Sequence, residues 1–274
     1  MIMVQFSDNE IQVLGPSSKH SFKKWLWLVP LFVVGIIGIY FSMFQEKETA
    51  KRIDSHTELN TPSTIQKELE MTSGVEYETI EVNDVWMHVF KLLDMAPELT
   101  LDVSSYTDST QCFILQAADI RKDNKKFVGD FVLNGKKLSW GKSKKGYCAI
   151  IDGRVTIGMG KDDEVMNHCI ANGGSFFRQY PLVINGILQK NEVKGKSIRR
   201  ALAQNKNGLY VIMTSKRESL YDFSEALQDM GMKDAISLVG GNKTYMYWLQ
   251  DGQYWESDDL DLVTNRNFIV FRRK

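Results

Sequence analysis

The sequence predicts an α+β domain that follows a single transmembrane helix. Three observations support this prediction: a long uncharged segment near the N-terminus, a series of Asn-Gly and Asp-Gly dipeptides over residues 134–252, and one amphipathic helix between two apolar strands. Together they indicate a large, mostly antiparallel or mixed sheet with one or two packed helices.

The segment Trp25–Phe44 contains no charged residue. At about 1.5 Å per residue, a helix of this length spans about 30 Å, the thickness of the bilayer hydrocarbon core. Trp25, Trp27 and Tyr40 lie near its ends, where aromatic rings prefer the membrane interface. A cleaved signal peptide has a shorter apolar core and a small-residue cleavage site. The sequence therefore favours an uncleaved anchor.

The orientation of this anchor rests on the basic residues that flank it. Three basic residues precede the segment closely and three follow it, so the positive-inside count is tied. Lys23 and Lys24 abut the segment and the preceding tail is short, which favours a cytoplasmic N-terminus and an extracytoplasmic, or periplasmic, domain in the cell envelope. We expect a tail over residues 1–24, a transmembrane helix over 25–44, a polar stalk over 45–73 and a folded domain over 74–274.

The overall charge and the cysteines exclude two classes of site. Lys and Arg number 34, and so do Asp and Glu, so the chain has no electrostatic footprint for nucleic acid. Cys112, Cys148 and Cys169 have no C-x-x-C spacing, which argues against a zinc knuckle. We expect buried small hydrophobes, with at most one disulfide within the chain. No residue pattern assigns a cofactor.

The domain carries strong hairpin signals. Alternation over 75–83 predicts a strand, and Asn-Gly and Asp-Gly dipeptides tolerate the positive φ angles of tight hairpin turns. Five such dipeptides separate apolar or β-branched runs: Asn134-Gly135, Asp152-Gly153, Asn185-Gly186, Asn207-Gly208 and Asp251-Gly252. Their number and placement predict a largely antiparallel sheet.

One amphipathic helix is clearly indicated, and a second is weaker. Apolar residues spaced three and four apart share one helical face: Leu220, Phe223, Leu227 and Met230. Ser219 is a suitable N-cap residue, and Gly231 is a suitable residue to end the helix. Apolar strands are predicted on either side, over 209–214 and 235–239. A further helix is predicted over 84–93.

Several segments around this helix, in order, resemble one enzyme family. Arg199–Ala203 follows an Arg-x-Ala-x-Gly signature, Phe223–Met232 matches a helix ending, and Ala235–Gly241 matches an A-l-x-L-D-G-G strand and turn. Upstream, Pro181–Gly186 and Cys112–Lys136 resemble two earlier blocks. These segments are similar to the phosphodiester glycosidase family, which includes the enzyme that uncovers mannose 6-phosphate.

The resemblance implies action on, or recognition of, a sugar 1-phosphodiester. A guanidinium group can grip a phosphodiester bidentately, and we expect strand alternation to let only one of the two neighbouring arginines face the site. Arg199 is the preferred catalytic residue. The other residues implied to bind substrate are Gln116, Arg200, Gly240, Gly241 and Asn242.

The chain departs from the family pattern at three positions. Val239 replaces the family Asp, Gln116 stands at the early Asn motif, and Ala203 replaces a Gly. Glycoside cleavage commonly uses paired carboxylates, so the missing family acid leaves the function open. One hypothesis is a tethered structural subunit of the envelope, and there are two others. The chain is a membrane-anchored phosphodiester glycosidase-like protein, or it is a catalytically silent envelope domain that binds glycan or protein.

Further candidates have two interpretations each. Asp119 and Arg121 face the cleft or belong to a solvated loop. The segment Asn172–Phe177 mimics a family string out of place, so it is a loop lining the cleft or a coincidence. His168 and the acidic residues 162–164 are ordinary surface groups rather than metal ligands. An aromatic hairpin stacks on sugar rings or packs across strands: Tyr245, Tyr247, Trp248, Tyr254 and Trp255.

Overall fold

The computed structural model describes residues 73–104, 106, 112–241, 244–250, 253–256 and 265–273, with side chains except at 249, 250 and 253–256. The predicted transmembrane helix, the stalk up to residue 72 and Asn242 lie outside these residues. Within them, no helix combines the length and the apolar character needed to cross a bilayer.

The described residues are mostly strand, with two helices. In chain order the elements are β1 Gly74–Val82, β2 Val85–Leu93, β3 Met95–Thr100, β4 Cys112–Gln116, β5 Phe131–Leu133, β6 Lys136–Ser139, β7 Gly146–Ile151, β8 Arg154–Met159, α1 Glu164–Ala171, β9 Ser175–Gln179, β10 Pro181–Ile184, β11 Ile187–Leu188, β12 Arg200–Asn205, β13 Gly208–Thr214, α2 Leu220–Asp229, β14 Asp234–Ser237, β15 Met246–Gln250, β16 Gln253–Glu256 and β17 Phe268–Arg273.

These strands form three antiparallel sheets in the described part of the chain, where the sequence predicted one large sheet. The first has seven strands in the order β1-β2-β13-β12-β14-β10-β11. The second has the order β16-β15-β4-β17-β3, and the third β6-β5-β9-β7-β8. The prediction of an α+β fold with antiparallel pairing is therefore confirmed, and the division into separate sheets is an addition to it.

A shared apolar core joins the three sheets. One cluster of buried side chains draws on all of them: Phe90, Leu115, Phe131, Phe177, Leu202 and Ile269. Each helix covers an outer face. Phe223 and Leu227 of α2 pack against the seven-stranded sheet, and Met166 and Cys169 of α1 pack against the sheet that holds β5, β7 and β9.

Tight turns close most of the predicted hairpins. Asn134, Asp152 and Asn185 have φ angles of 48°, 49° and 51°, and each precedes a glycine that also has positive φ. In the β12–β13 hairpin, Asn205 pairs with Gly208, so the turn lies one residue earlier than predicted. The fifth dipeptide, residues 251–252, lies outside the described residues.

The predicted helix over 84–93 is wrong, because this segment is strand β2. Val85, Met87 and Val89 are buried and alternate with more exposed residues, which is a period of two. Strand β2 pairs with β1 along its whole length. Asn83 and Asp84 form the connecting turn with φ angles of 52° and 62°, so an Asn-Asp pair acts here as Asn-Gly does elsewhere.

The predicted helix after Ser219 is confirmed as α2. Ser219 Oγ accepts a hydrogen bond of 3.0 Å from the backbone N–H of Asp222, as an N-cap does. Gly231 follows the helix with a φ of 82°, a left-handed conformation that glycine adopts without strain.

The three cysteines are buried and free, as expected of small apolar side chains. Burial raises the pKa of both Cys112 and Cys169 to about 11.

A buried ion pair between Arg178 and Asp130 fastens β9 to the segment before β5. The Arg178 Nε donates to Asp130 Oδ2 at 2.6 Å, and both side chains are at most 2% exposed. Lys137 lies 3.2 Å from the other carboxylate oxygen. The remaining Arg178 nitrogens donate to the carbonyl oxygens of Gly160 and Asp162. One guanidinium therefore joins three segments of the chain.

Replacement of Asp130 by asparagine is expected to destabilise the fold by about 3–5 kcal/mol at pH 7, because it leaves Arg178 buried without its counter-charge. Burial opposes ionisation of Asp130, but hydrogen bonds from Arg178, Gly141 and Lys137 outweigh it and lower its pKa. A depressed pKa contributes stability above the unfolded value of about 3.9, and this contribution is lost as pH falls through the folded value.

Urea unfolding of the parent and of Asp130→Asn between pH 2 and pH 7 measures this effect. The difference between their free energies of unfolding should be constant from about pH 5 upward and should shrink below pH 4. Glu76→Gln is the matched control, since Glu76 pairs with Lys91 on the surface and should change stability little. Equal stability of Asp130→Asn and the parent at pH 7 would show that this pair does not hold the fold.

Candidate functional site

A polar cavity of about 260 Å³ lies at one end of strands β10, β14 and β12. Antiparallel pairing brings the start of β12 and the start of β10 beside the end of β14. Two backbone hydrogen bonds of 2.9 Å continue this contact, from Ser237 N to the Tyr180 carbonyl and from Leu238 N to the Arg200 carbonyl. The cavity is lined by these strand ends, by the loop after β4, by the chain between β11 and β12 and by the start of α2.

Arg199 lies at this cavity with its guanidinium held by neutral groups. Its Nε donates to the Glu218 carbonyl at 2.8 Å, and its Nη2 donates to the Gly195 carbonyl at 2.6 Å. Among the described residues, no carboxylate lies within 4.0 Å of this guanidinium. Burial lowers the pKa of Arg199, but an arginine stays charged in proteins. The cavity therefore has a fixed positive charge in its wall.

Arg200 also borders this cavity, and strand β12 begins at this residue. Arg200 is buried, and its guanidinium donates to Met213 Sδ at 3.2 Å, to Thr244 Oγ1 and to the Val239 carbonyl at 3.5 Å. These contacts join the cavity wall to the segment after β14.

The glycines at 240 and 241 allow two backbone segments to approach closely at the rim. A Cβ atom on Gly240 would overlap the carbonyl oxygen of Ile198. That same oxygen accepts a 2.9 Å hydrogen bond from Gly241 N, and Gly241 has a φ of 110°. Gly240 lines the cavity. Of the rim residues predicted to bind substrate, Gly240 therefore lies at the cavity, whereas Asn242 lies outside the described residues.

Asp119 supplies the carboxylate of the cavity, and it pairs with a buried lysine. Asp119 Oδ2 accepts from Lys144 Nζ, whose side chain is only 3% exposed. The same ammonium donates to Gln179 Oε1 at 2.6 Å and lies 4.5 Å from the centroid of the Tyr180 ring. Burial lowers the pKa of Lys144, and Asp119 opposes this shift. Asp119 is the only carboxylate among the described residues that line this cavity.

Two asparagines near the C-terminus hold the loop that carries Asp119. Asn267 Oδ1 accepts from Ala118 N at 2.7 Å, and the side-chain amides of Asn265 and Asn267 both donate to the Ala118 carbonyl at 2.9 Å. Gln116 takes part in this support: its amide donates to the Asn265 carbonyl at 2.5 Å, and its Oε1 accepts from Tyr245 N at 3.0 Å. Gln116 is buried and does not line the cavity.

Sequence reasoning missed several residues of this region. Lys144, Tyr180 and Ser237 lie in or beside the cavity, and Asn265 and Asn267 position its loop. Tyr180 directly precedes the family-like segment that starts at Pro181, which is the one signal that pointed toward it. Lys144 and the two asparagines stand in no recognisable motif, so their roles depend on contacts between residues far apart in the sequence.

Other predicted candidates lie elsewhere. Arg121 lines a separate surface groove with Trp140, and Asn172–Phe177 connects α1 to β9 with Phe177 in the core. The acid Asp234 does not belong to this cavity, because it accepts from Asn185 N and Gln204 Nε2 at the start of β14 and the cavity lies at the other end of that strand. Within the described residues, no three His, Cys, Asp or Glu side chains gather as metal ligands.

The aromatic residues near β15 follow the packing interpretation where their side chains are described. Tyr245 and Tyr247 are buried in a cluster with Ile114 and Val270. The Trp248 ring lies 5.7 Å from that of Phe90, centroid to centroid, in an edge-on contact. Strand β16 pairs with β15. These contacts contribute to the packing of the second sheet.

The family of this domain is established by its sequence. The family model described as phosphodiester glycosidase matches residues 113–270, more than half of the chain. The chain belongs to the phosphodiester glycosidase family. The matched range includes Asp119, Lys144, Arg199 and Gly240, so the whole cavity falls within it. No curated protein matches the chain significantly by sequence.

Solved structures share the fold. The catalytic domain of zebrafish N-acetylglucosamine-1-phosphodiester alpha-N-acetylglucosaminidase, auto-inhibited by its pro-peptide, matches with a TM-score of 0.50 and 14% identity, over 74% of this chain and 83% of that one. A hypothetical protein from Synechocystis matches with a TM-score of 0.55 and 12% identity, over 73% and 62%. At these identities the likeness establishes the fold alone.

Asp119→Asn is expected to lower stability and to change how stability depends on pH. Without the carboxylate, burial lowers the pKa of Lys144 further, so the folded protein releases this proton at lower pH than the unfolded chain does. A lowered lysine pKa makes stability rise with pH, because the unfolded state then binds more protons than the folded state. The free energy of unfolding of Asp119→Asn, relative to the parent, should therefore rise between pH 7 and pH 10.

Denaturant unfolding at several pH values in this window measures the difference. Asp163→Asn is the control, because Asp163 pairs with the exposed Lys142 at the surface. The difference in free energy of unfolding between this variant and the parent should not change with pH. A flat difference for Asp119→Asn as well would mean that the Asp119 contact does not govern the protonation of Lys144.

Proposed function

We propose that this domain recognises a sugar 1-phosphodiester, with the phosphate held at Arg199. The observation that carries the proposal is the Arg199 guanidinium in the cavity wall, oriented by two backbone carbonyls and without a carboxylate partner among the described residues. Guanidinium groups bind phosphate oxygens through charged, directional hydrogen bonds. Membership of the phosphodiester glycosidase family supports this choice of ligand, as does the substrate named for the zebrafish protein.

A second function, hydrolysis of the bound diester, is favoured by Asp119. Most glycosidases use two carboxylates, one of which protonates the leaving group. A phosphomonoester is a far weaker base than a sugar alkoxide, with a second pKa of about 6, so its departure needs less acid assistance. One carboxylate that takes the proton of an attacking water is then enough. The sugar C1–O bond breaks, the water oxygen joins C1, and a phosphomonoester leaves.

Removal of the Arg199 side chain should weaken binding of a small diester. We expect Arg199→Ala to reduce affinity about 10- to 100-fold, the effect of losing a charged hydrogen bond, and Arg199→Lys to lie between it and the parent. Calorimetry on the full chain in mild detergent, with the methyl diester of N-acetylglucosamine 1-phosphate and the matching glucose and mannose diesters, gives the measurement.

Arg217→Ala is the matched control, because the Arg217 guanidinium also donates to a backbone carbonyl, that of Lys196, but does not line the cavity. It should bind like the parent. If none of the three diesters binds the parent, or if Arg199→Ala binds as tightly, the proposed recognition is wrong. Release of methyl phosphate by the parent, lost in Asp119→Asn with binding retained, would establish hydrolysis. Binding without release would identify a silent recognition domain.

We also propose that residues 25–44 anchor the chain in a membrane, with the N-terminus in the cytoplasm and the domain outside. The uncharged length of this segment and the two lysines before it support the proposal. The parent should stay with membranes during alkaline carbonate extraction. Val34→Arg with Ile37→Arg should be released, because each central arginine costs about 2.5–3.5 kcal/mol on insertion scales.

External protease tests the orientation. It should digest the domain in intact spheroplasts if the domain lies outside. Extraction of the parent by carbonate would contradict the anchor, and protection of the domain until lysis would contradict the orientation.

A further inference from the structure

A second, larger depression lies next to the cavity and shares two residues with it. This depression, here called the lysine groove, measures about 910 Å³, against 260 Å³ for the cavity. Tyr180 and Val193 line both. The groove runs between the segment before β7, the end of β8 and the chain after β11. A ligand that fills the cavity and extends past Tyr180 therefore enters the lysine groove.

The lysine groove is strongly basic although the whole chain is neutral. Lys145, Lys161 and Lys190 line it and are exposed. Among the described residues, no carboxylate lies within 4.0 Å of any of their ammonium groups. Lys144, at the junction with the cavity, is already paired with Asp119, and Glu192 is the one acid among the described residues of the lining. Since Lys and Arg equal Asp and Glu over the chain, this excess is local.

We propose that the lysine groove binds the continuation of a polyanionic glycan, in which sugar or polyol units are joined by several phosphodiester links. This proposal rests on the proposed function, since one sugar 1-phosphodiester of the polymer occupies the cavity at Arg199. The next phosphates lie along Lys145, Lys161 and Lys190. The domain then selects a bond within, or at the end of, a charged polymer rather than a small phosphodiester.

Size and charge both favour this occupant. A depression near 300 Å³ is at the lower limit for a small ligand, whereas about 1,000 Å³ is the upper range, so the cavity suits one sugar phosphate and the groove suits several more atoms of chain. Lysine ammonium groups bind phosphates as point charges without fixed geometry. A row of them therefore suits a flexible chain with repeated charges and gives binding that weakens steeply with salt.

A nucleic acid is disfavoured by the composition of the groove. Proteins that hold single strands combine basic grooves with aromatic side chains on which successive bases stack. Tyr180 is the only aromatic residue among the described residues that line the lysine groove. Lys144 already lies 4.5 Å from the centroid of its ring. The groove thus offers charge for phosphates but no series of platforms for bases.

The test compares three probes on the full chain in mild detergent. These are the methyl diester of N-acetylglucosamine 1-phosphate, an oligomer of N-acetylglucosamine units joined by phosphodiester links with about six phosphates, and a single-stranded oligonucleotide with the same number of phosphates. We expect the oligomer to bind about tenfold or more tightly than the methyl diester, with a steeper loss of affinity in salt. The oligonucleotide should bind no more tightly than the methyl diester.

A triple variant isolates the groove. Lys145→Gln with Lys161→Gln and Lys190→Gln should bind the methyl diester like the parent and lose about tenfold or more of its affinity for the oligomer. The salt slope for the oligomer should fall by about 2, the value for three neutralised contacts at about 0.7 each. Lys136, Lys206 and Lys233 are also exposed and lie outside the groove, so their triple change to Gln is the matched control and should have no effect.

The outcomes separate this proposal from the one on which it rests. If the methyl diester binds through Arg199 but the oligomer binds no more tightly, the proposed function stands and the lysine groove proposal fails. Equal effects of the two triple variants, or an oligonucleotide that binds as tightly as the oligomer, also overturn it. If the oligomer binds and the methyl diester does not, the groove does not extend the cavity, and both proposals fail.

Discussion

The ion pair between Arg178 and Asp130 is the constraint from which the cavity is built. Two opposite charges at most 2% exposed are stable only where further hydrogen bonds satisfy them, and here backbone carbonyls and an amide do so. Arg178 is followed directly by Gln179 and Tyr180. Because Arg178 fixes the end of β9, the next two side chains meet Lys144 at the cavity. A structural charge pair in the core thus sets the position of functional groups.

The cavity carries its charges in two different ways. Lys144 is buried but compensated, because Asp119, Gln179 and the Tyr180 ring surround its ammonium group. Arg199 is held by carbonyl oxygens, which orient a guanidinium without cancelling its charge. Charges in a medium of low effective dielectric interact more strongly than in water. The charged groups at the described cavity are therefore Arg199, Arg200 at its border and the Asp119–Lys144 pair.

Local sequence patterns were enough to predict the helix and the hairpin turns. The site could not be predicted in the same way, because it depends on contacts between residues distant in the sequence. The helix after Ser219 could be predicted because its cap, its apolar face and its stop lie within thirteen residues, and each hairpin turn depends on one dipeptide. The sequence alone does not decide between helix and strand for β2, because the apolar spacing in Val85–Leu93 fits both periods. Its pairing with β1 and β13 makes it a strand. Asp119 could be predicted as a candidate because it follows the family-like segment that starts at Cys112. Lys144, Asn265 and Asn267 are distant from it in sequence and come close to it only in the folded protein. The division into three sheets follows from which strands meet, which no single segment encodes.

The three free, buried thiols have a consequence for how this domain is held together. Cys112, Cys148 and Cys169 are fully buried apolar groups, and their thiols form no crosslink in the folded state. Covalent bridges stabilise many small domains by limiting the unfolded chain, whereas the described part of this chain depends on its sheets and core. Since no bond between these thiols contributes to the described structure, its core is held by non-covalent packing and not by oxidised cysteine.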